Sequence, residues 1–464
     1  MSSGFASAPR LVSDAVAAAV ADVRSGTEAD AWPRTTRLLP WLLAGFLVML
    51  WLVPFQDILL PVTLPVDAKL DRFVLAGIGL VWFAAFIAGG RDAPRHRPNA
   101  MNVSIVVFFT IAVAGLLLNA DVLAQLDDLT LAVKKIALLA AYVAFFYLAA
   151  SSIRPAEVRA FCALTVALAS ITAIGAIWEY RTGYNLFYDA VGRLLPPGFA
   201  LLPETGDPKF GRPQITGPTQ NGLALTTVLS LALPFAAVAL MRATELRRKI
   251  AYALSTALIL AGTVSTFRKT ALFMPAAALL VILVYWRRQA LRFAPLGIAL
   301  LLAVQVASPG ALGSIRGQLE PDRFLSSSST QGRTSDYDAV MPDIKAHPAL
   351  GRGYGTFDSH KYRLLDNQYL MLLIETGALG LMAYMGMILT VIFTGHRVIR
   401  DGDQFRAPPA LAASAAAAAF FVCSALFDVL AFPQVPYLFF FVAALAVAAA
   451  RTPPSPHARA ADRR

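Results

Sequence analysis

Charged side chains are scarce in this 464-residue chain, at 15% of the residues, and cysteine is nearly absent, with two. A soluble domain carries about 25% charged residues, so an ordinary water-soluble globule is excluded. The same composition excludes disorder, collagen-like repeats and coiled coils. Cys162 and Cys423 both lie in apolar runs. They cannot form a disulfide framework or a metal site, and they read as small buried side chains. What the chain has in quantity is apolar length, with 57% hydrophobic residues and a mean hydropathy of +0.60. The solvent that suits it is a bilayer.

A membrane-crossing helix needs about 20 mostly apolar residues to span about 30 Å of hydrocarbon. Twelve runs qualify: Leu38–Phe55, Phe73–Gly90, Met101–Ala120, Leu131–Ser151, Val158–Trp178, Gly222–Met241, Ile250–Thr266, Thr270–Trp286, Phe293–Ser308, Tyr369–Phe393, Ala410–Phe427 and Tyr437–Ala450. The ninth is short and contains Pro295. Lysine and arginine collect on the cytoplasmic side of a membrane. With the N-terminus inside, the inner segments carry the whole +11 excess of the chain and the outer segments are slightly acidic. Twelve spans with both termini cytoplasmic satisfy this asymmetry.

The resulting plan is an all-α polytopic integral membrane protein. Residues 1–37 form a cytosolic tail, 38–178 helices 1 to 5, and 179–221 an outer loop. Residues 222–308 form helices 6 to 9, 309–368 a long outer loop, 369–450 helices 10 to 12, and 451–464 a second cytosolic tail.

A pI near 9.8 often marks nucleic-acid binding. Here the basic residues are scattered through short inner loops, as in Arg247-Arg248-Lys249 and Arg287-Arg288, and read as topology determinants beside anionic lipid. No nucleic-acid partner is expected. The polar residues ahead of Leu38 do not fit a secretory leader, and Arg10 to Arg24 has the spacing of an amphipathic helix. The block Ala412–Ala419 reads as a close-packing helix face.

Long connections in compact proteins are usually functional or disordered, which directs attention to 179–221 and 309–368. Within the second, Ser326-Ser327-Ser328-Ser329 reads as a turn. Gly351-Arg352-Gly353-Tyr354-Gly355 follows no strand and reads as a tight glycine turn instead of a nucleotide loop. Asp336-Tyr337-Asp338 has the spacing of a metal-holding carboxylate pair, but an outward-facing site would not meet the sugar nucleotides that such pairs serve; no metal is expected. Arg268-Lys269 make up almost the entire link between the seventh and eighth spans. They either snorkel to outer headgroups or form a fixed cationic site for a lipid phosphate. Glu375 lies in an otherwise apolar stretch and demands a partner or a wet cavity, with an arginine the expected partner. Gly377 and Gly380 allow a break or close helix packing there, which hints at a re-entrant element.

These pieces resemble the O-antigen ligase and polymerase superfamily of bacterial envelope enzymes. The likeness rests on Gly211-Arg212-Pro213 through Gly217-Pro218-Thr219-Gln220-Asn221-Gly222, on Ser265-Thr266-Phe267-Arg268-Lys269-Thr270, and on Gly332-Arg333. It continues in His347 to Phe357, Asp366-Asn367-Gln368-Tyr369-Leu370 and Glu375-Thr376-Gly377-Ala378-Leu379-Gly380. No piece is specific alone; their order, spacing and topology together are, over roughly residues 175 to 440.

The resemblance implies a glycan linked to undecaprenyl diphosphate, transferred on the outer face of the cytoplasmic membrane to an acceptor hydroxyl. It implies a fold akin to the polytopic lipid-dependent glycosyltransferases of GT-C type, without metal or cofactor. It places diphosphate-binding cations at Arg212, Arg268, Lys269 and Arg333, further substrate contacts at Asn221, Asn367 and Glu375, and membrane lipid around the whole. A flippase and a chain-length regulator are the protein partners it suggests. Many ligases of this kind carry His-Asn where this chain has Asp366-Asn367. The base is then Asp366, whose burial would raise its pKa toward a useful range, or His360. That departure favours a polysaccharide polymerase over a ligase. A twelve-helix transporter or lipid-linked glycan flippase is the competing reading, and a non-catalytic membrane scaffold a third.

Overall fold

The computed structural model describes residues 30–61, 69–89, 93–203, 214–268, 270–293, 328–359 and 361–452, with backbone only for 328–335. It is helical almost throughout. In chain order the helices are α1 (Leu38–Leu52), α2 (Leu70–Ala88), α3 (Ala100–Leu118), α4 (Ala120–Gln125), α5 (Leu129–Ser152), α6 (Val158–Thr182) and α7 (Leu186–Leu194). They continue with α8 (Gly222–Arg242), α9 (Leu246–Val264), α10 (Thr270–Arg292), α11 (Ser328–Ala346), α12 (Gln368–Arg400), α13 (Ala407–Ser424) and α14 (Gln434–Arg451). A two-residue pair, β1 (Ile58–Leu59) against β2 (Ala200–Leu201), is antiparallel with Ile58 opposite Leu201.

Nine helices among the described residues are long and apolar enough to cross a membrane. The protein is therefore a polytopic all-α membrane protein. Two more of the expected spans are helical. α1 has 15 residues and stops at Leu52, two residues before Pro54, and α9 opens on Arg247-Arg248-Lys249. α10 runs past the expected end at Trp286 to Arg292, across a kink at that tryptophan (φ −122°, ψ 42°). Beyond Phe293 the ninth expected span lies outside the described residues, as do Arg10 to Arg24 and the tail from residue 453.

The core sits around α13. Every residue from Ala412 to Ala419 except Ala418 is buried, so this block is enclosed on nearly all sides instead of packing through one face. α13 touches α6, α8, α10, α12 and α14. Small side chains let backbones approach closely, and the contact with α12 is tight. A Cβ added to Gly395 would stand 1.9 Å from Ser414 Oγ and 2.9 Å from the Ala410 carbonyl oxygen.

The connections fall into two groups by contact. At one end Arg37 pairs with Glu157 at 3.1 Å, Arg451 donates to the carbonyls of Ala150 and Arg97 at 2.7 and 2.8 Å, and Arg406 donates to Ala450 at 3.0 Å. These are the segments expected inside. At the other end Gln220 Nε2 donates to Asp57 at 2.7 Å, Arg352 pairs with Asp128 at 3.0 Å, and Gln434 Nε2 donates to the Pro218 carbonyl at 3.3 Å. These are the segments expected outside.

At 33 residues α12 would be about 50 Å long if straight, far more than the hydrocarbon thickness. It is broken at Gly377 (φ 64°, ψ −169°) into a short leading piece and a long one, at the position the glycines suggested. Ser328 and Ser329 open α11 instead of forming a turn, so the long loop contains a helix of 19 residues.

Candidate active site

The N-terminus of α8 is held by buried carboxylates. Glu179 accepts the Thr216 N–H at one oxygen and the Gly217 N–H at the other, both at 2.8 Å. Asn185 Nδ2 donates to the Gly217 carbonyl at 2.8 Å. Buried Asp57 receives Gln220 Nε2 and the Tyr188 hydroxyl. Asn221 is the helix cap: its Oδ1 accepts the Leu223 N–H and Gln214 Nε2, each at 2.9 Å. Such a cap contributes about 1 kcal/mol, and the helix end it orders carries a partial positive charge.

Arg268 lies across that end. A Cβ added to Gly222 would be 3.6 Å from its Nε. The turn that delivers it is built from hydroxyls. Ser265 Oγ donates to the Gly262 carbonyl at 2.8 Å, Thr266 Oγ1 to the Thr263 carbonyl at 2.8 Å, and Thr226 and Thr266 hydroxyls meet at 2.6 Å. Phe267 then adopts φ 52°, a left-handed conformation uncommon for a bulky side chain, with its ring against Tyr180 at 5.4 Å. That reversal aims Arg268 back toward α8. Burial pulls the Arg268 guanidinium below its ordinary pKa, and the Asp366 carboxylate opposes the fall. The pair are electrostatic neighbours although nearly a hundred residues separate them.

Asp366 itself is exposed, not buried as expected from the sequence. It precedes Asn367, the cap of α12, whose Oδ1 accepts the N–H groups of Tyr369 and Leu370 at 3.0 and 3.2 Å. The Asn367 amide nitrogen donates to the Tyr337 hydroxyl at 3.3 Å. On the other flank Gln368 Oε1 accepts the Leu430 N–H at 2.8 Å, which draws in the turn between α13 and α14. Asp428 on that turn is half-buried. Desolvation raises its pKa, Lys135 and the Ala431 and Leu430 amides oppose this, and Asp366 adds to it.

Glu375 does not pair with an arginine. Its carboxylate accepts the Phe357 N–H at 3.1 Å and the Gly355 N–H, with Lys135 nearby. The main chain closes the same contact: Arg352 N–H donates to the Ile374 carbonyl at 3.0 Å and Gly353 N–H to that of Glu375 at 2.9 Å. Gly351, Gly353 and Gly355 have φ of 67°, 121° and 76°. The two glycine-bearing motifs are thus one interlocked unit, and the buried acid is satisfied by backbone amides, a geometry no sequence spacing announces.

This unit is tied to the α4–α5 corner by Asp128. Arg352 reaches it at 3.0 Å, Lys361 at 2.8 Å and the Tyr362 hydroxyl at 2.6 Å, and Arg352 lies over the Tyr362 ring at 4.4 Å. Burial acts to raise the Asp128 pKa, but the hydrogen bonds from Lys361 and Tyr362 and the charges of Lys361 and Arg352 outweigh it and hold the carboxyl below the usual range.

Of the residues expected at the site, Arg268, Asp366, Asn367 and Asn221 come together at one end of the bundle, the two asparagines as helix caps. Glu375 supports the loop beneath them. Arg212, Lys269 and His360 lie outside the described residues, and Arg333 falls on α11 with its side chain outside them. Asp336 is on α11 and pairs with Arg363 at 2.5 Å. Among the described residues no three His, Cys, Asp or Glu side chains cluster as a metal site would need.

Sequence inspection missed Asp57, Asp128, Glu179, Lys135 and Asp428. The last was findable, as the one charge between the apolar runs of α13 and α14.

Residues 251–385 match the sequence profile of the family described as O-antigen ligase. The match supports an O-antigen ligase and polymerase superfamily assignment. The matched segment runs from within α9 into the long piece of α12, so it includes Arg268, Asp366 and Glu375 but does not reach back to the α8 cap at Asn221. It is narrower than the likeness read from the motifs. No curated protein matches the chain.

Proposed function

We propose that this protein transfers glycan from undecaprenyl diphosphate to an acceptor hydroxyl on the outer face of the bacterial cytoplasmic membrane, and that it polymerises repeat units. The observation that carries the reading is that Arg268, at the capped end of α8, lies within electrostatic reach of exposed Asp366. The family match supports lipid-linked glycan chemistry. In this reading twelve helices cross the membrane with both termini cytoplasmic, in an arrangement akin to GT-C enzymes, and residues 309–368 form the catalytic outer loop.

The acceptor oxygen attacks the anomeric carbon as the bond to the diphosphate breaks. The leaving diphosphate takes the electron pair. Its growing charge is stabilised by Arg268 and the positive end of α8, with Arg212, Lys269 and Arg333 as further cations. The acceptor proton passes to Asp366, or to His360. Asp366 in the position where many ligases carry histidine favours polymerase over ligase. Flippase and chain-length partners would supply and limit the substrate.

The break in α12 at Gly377 is a feature that transporters share, so a lipid-linked glycan flippase is the second reading.

The test is the glycan profile of cells lacking the protein. Single repeat units on lipid with long polymer missing mean a polymerase, and full-length chains trapped on lipid mean a ligase. An unchanged profile with redundancy excluded overturns both.

A further inference from the structure

α11 is docked by one stripe. Asp336, Val340 and Ile344 follow one another at helical spacing. Asp336 pairs with Arg363, and Val340 packs with Phe357, Leu365, Leu370, Met371 and Ile374, with Ile344 against that cluster. The neighbouring stripe, Tyr337 and Met341, is left in solvent at 46% and 38% exposure. Tyr337 stands where this stripe meets the start of α12. Its hydroxyl oxygen accepts from Asn367 Nδ2, while Asn367 Oδ1 is committed to capping α12, so the amide can point nowhere else without losing the cap. The phenol is held at its polar tip, beside the residue next to Asp366, with its side chain partly exposed.

An aromatic ring held at its tip and partly exposed is a stacking surface. Pyranose rings present C–H faces, and a tyrosine offers an apolar body with a polar tip. The hydroxyl already accepts one hydrogen bond and keeps its own proton to donate. Its place beside Asp366 decides what it would hold. In the proposed reaction Asp366 takes the proton of the incoming hydroxyl, and Tyr337 is hydrogen-bonded to the residue next to it, whereas Arg268 serves the diphosphate. Tyr362, the other exposed tyrosine of the loop, has Arg352 over its ring and is stacked on Phe357, so its faces are taken.

We infer that Tyr337 forms the acceptor subsite, stacking on a sugar ring of the incoming glycan and donating to one of its oxygens. This rests on the proposed transfer reaction and adds which residue selects the acceptor.

The experiment uses the purified full-length protein, the lipid-linked repeat unit of its host as donor and the delipidated repeat-unit oligosaccharide as acceptor. Tyr337→Ala removes the ring contact and should raise the acceptor KM about tenfold while the donor KM and kcat stay within about twofold. Tyr337→Trp, which keeps a stacking surface, should recover most of the loss. Calorimetric titration of the same oligosaccharide reads affinity without turnover and should show the same order. An unchanged acceptor KM and affinity in Tyr337→Ala overturns the subsite, as does a wild-type protein that binds no oligosaccharide. An equal change in donor and acceptor parameters also overturns it. Arg268→Ala assayed in parallel separates the two claims: normal transfer by that variant rejects the reaction itself, whereas its inactivity beside an unaffected Tyr337→Ala rejects only the subsite.

Discussion

A Cβ on Gly377 would stand 2.3 Å from the carbonyl carbon and oxygen of Ala349. The glycine has φ 64° and ψ −169°, a region reserved almost entirely for that residue. Both the break in α12 and the seating of the loop depend on it. Gly377→Ala should therefore combine about 1–3 kcal/mol of backbone strain with a steric overlap that shifts the loop. Thermal unfolding in detergent would show a clear fall in midpoint. An unchanged midpoint would mean that the two segments separate at little cost.

The Arg268 guanidinium should be indispensable for turnover. Removing one group that stabilises developing charge costs about a hundredfold to a thousandfold in rate, so Arg268→Ala should lose polymer while still accumulating in the membrane. Arg268→Lys should also be poor, since lysine offers a point charge in place of a two-pronged donor. Gel profiles of lipid-linked glycans from complemented cells provide the readout, and wild-type polymer from either variant would remove Arg268 from the mechanism.

Glu375→Ala leaves the Phe357 and Gly355 amides without their acceptor. Leaving a buried donor unsatisfied costs about 1–3 kcal/mol. Glu375→Gln retains a side-chain oxygen and should lose clearly less. The order wild type, Gln, Ala in thermal midpoint checks this. Equal loss in both variants would point to the charge, and its neighbour Lys135, instead of the acceptor.

Asp128 makes the loop tether sensitive to acid. Its pKa is depressed in the folded protein, so the tether's contribution is fully present above the ordinary carboxylate range and is lost as pH falls through the lowered value. Hydrogen exchange at Lys361 and Tyr362, corrected for intrinsic rates, should accelerate as the pH drops below that range. Asp128→Asn should show fast exchange already at neutral pH and a flat profile. A pH response that persists in Asp128→Asn would assign it to another group.

Much of the bundle was legible because hydropathy and the lysine–arginine bias are summed over many residues, and burial in lipid leaves little room for competing structure. The glycine break at Gly377 was legible for a local reason, the lack of a Cβ. The site was legible only in part. Arg268 stood out as a charge in a very short link, but the facts that Asn221 and Asn367 spend their oxygens on capping, and that Glu375 binds main chain, depend on contacts between segments far apart in sequence. Asp366 was read as a base whose burial would raise its pKa, and it stands exposed just ahead of the cap of α12, a placement set by how the loop folds and not by its local sequence.

The enclosure of α13 has a mechanical consequence. A helix surrounded by five others and tightly meshed at Gly395 acts as an axle, and the turn carrying Asp428 is fixed to its end. That wall of the site cannot travel without unpacking the bundle. In the proposed transfer reaction, movements that admit and release glycan would then come from the elements hung around the axle, namely α11, the loop tethered at Asp128 and the short leading piece of α12.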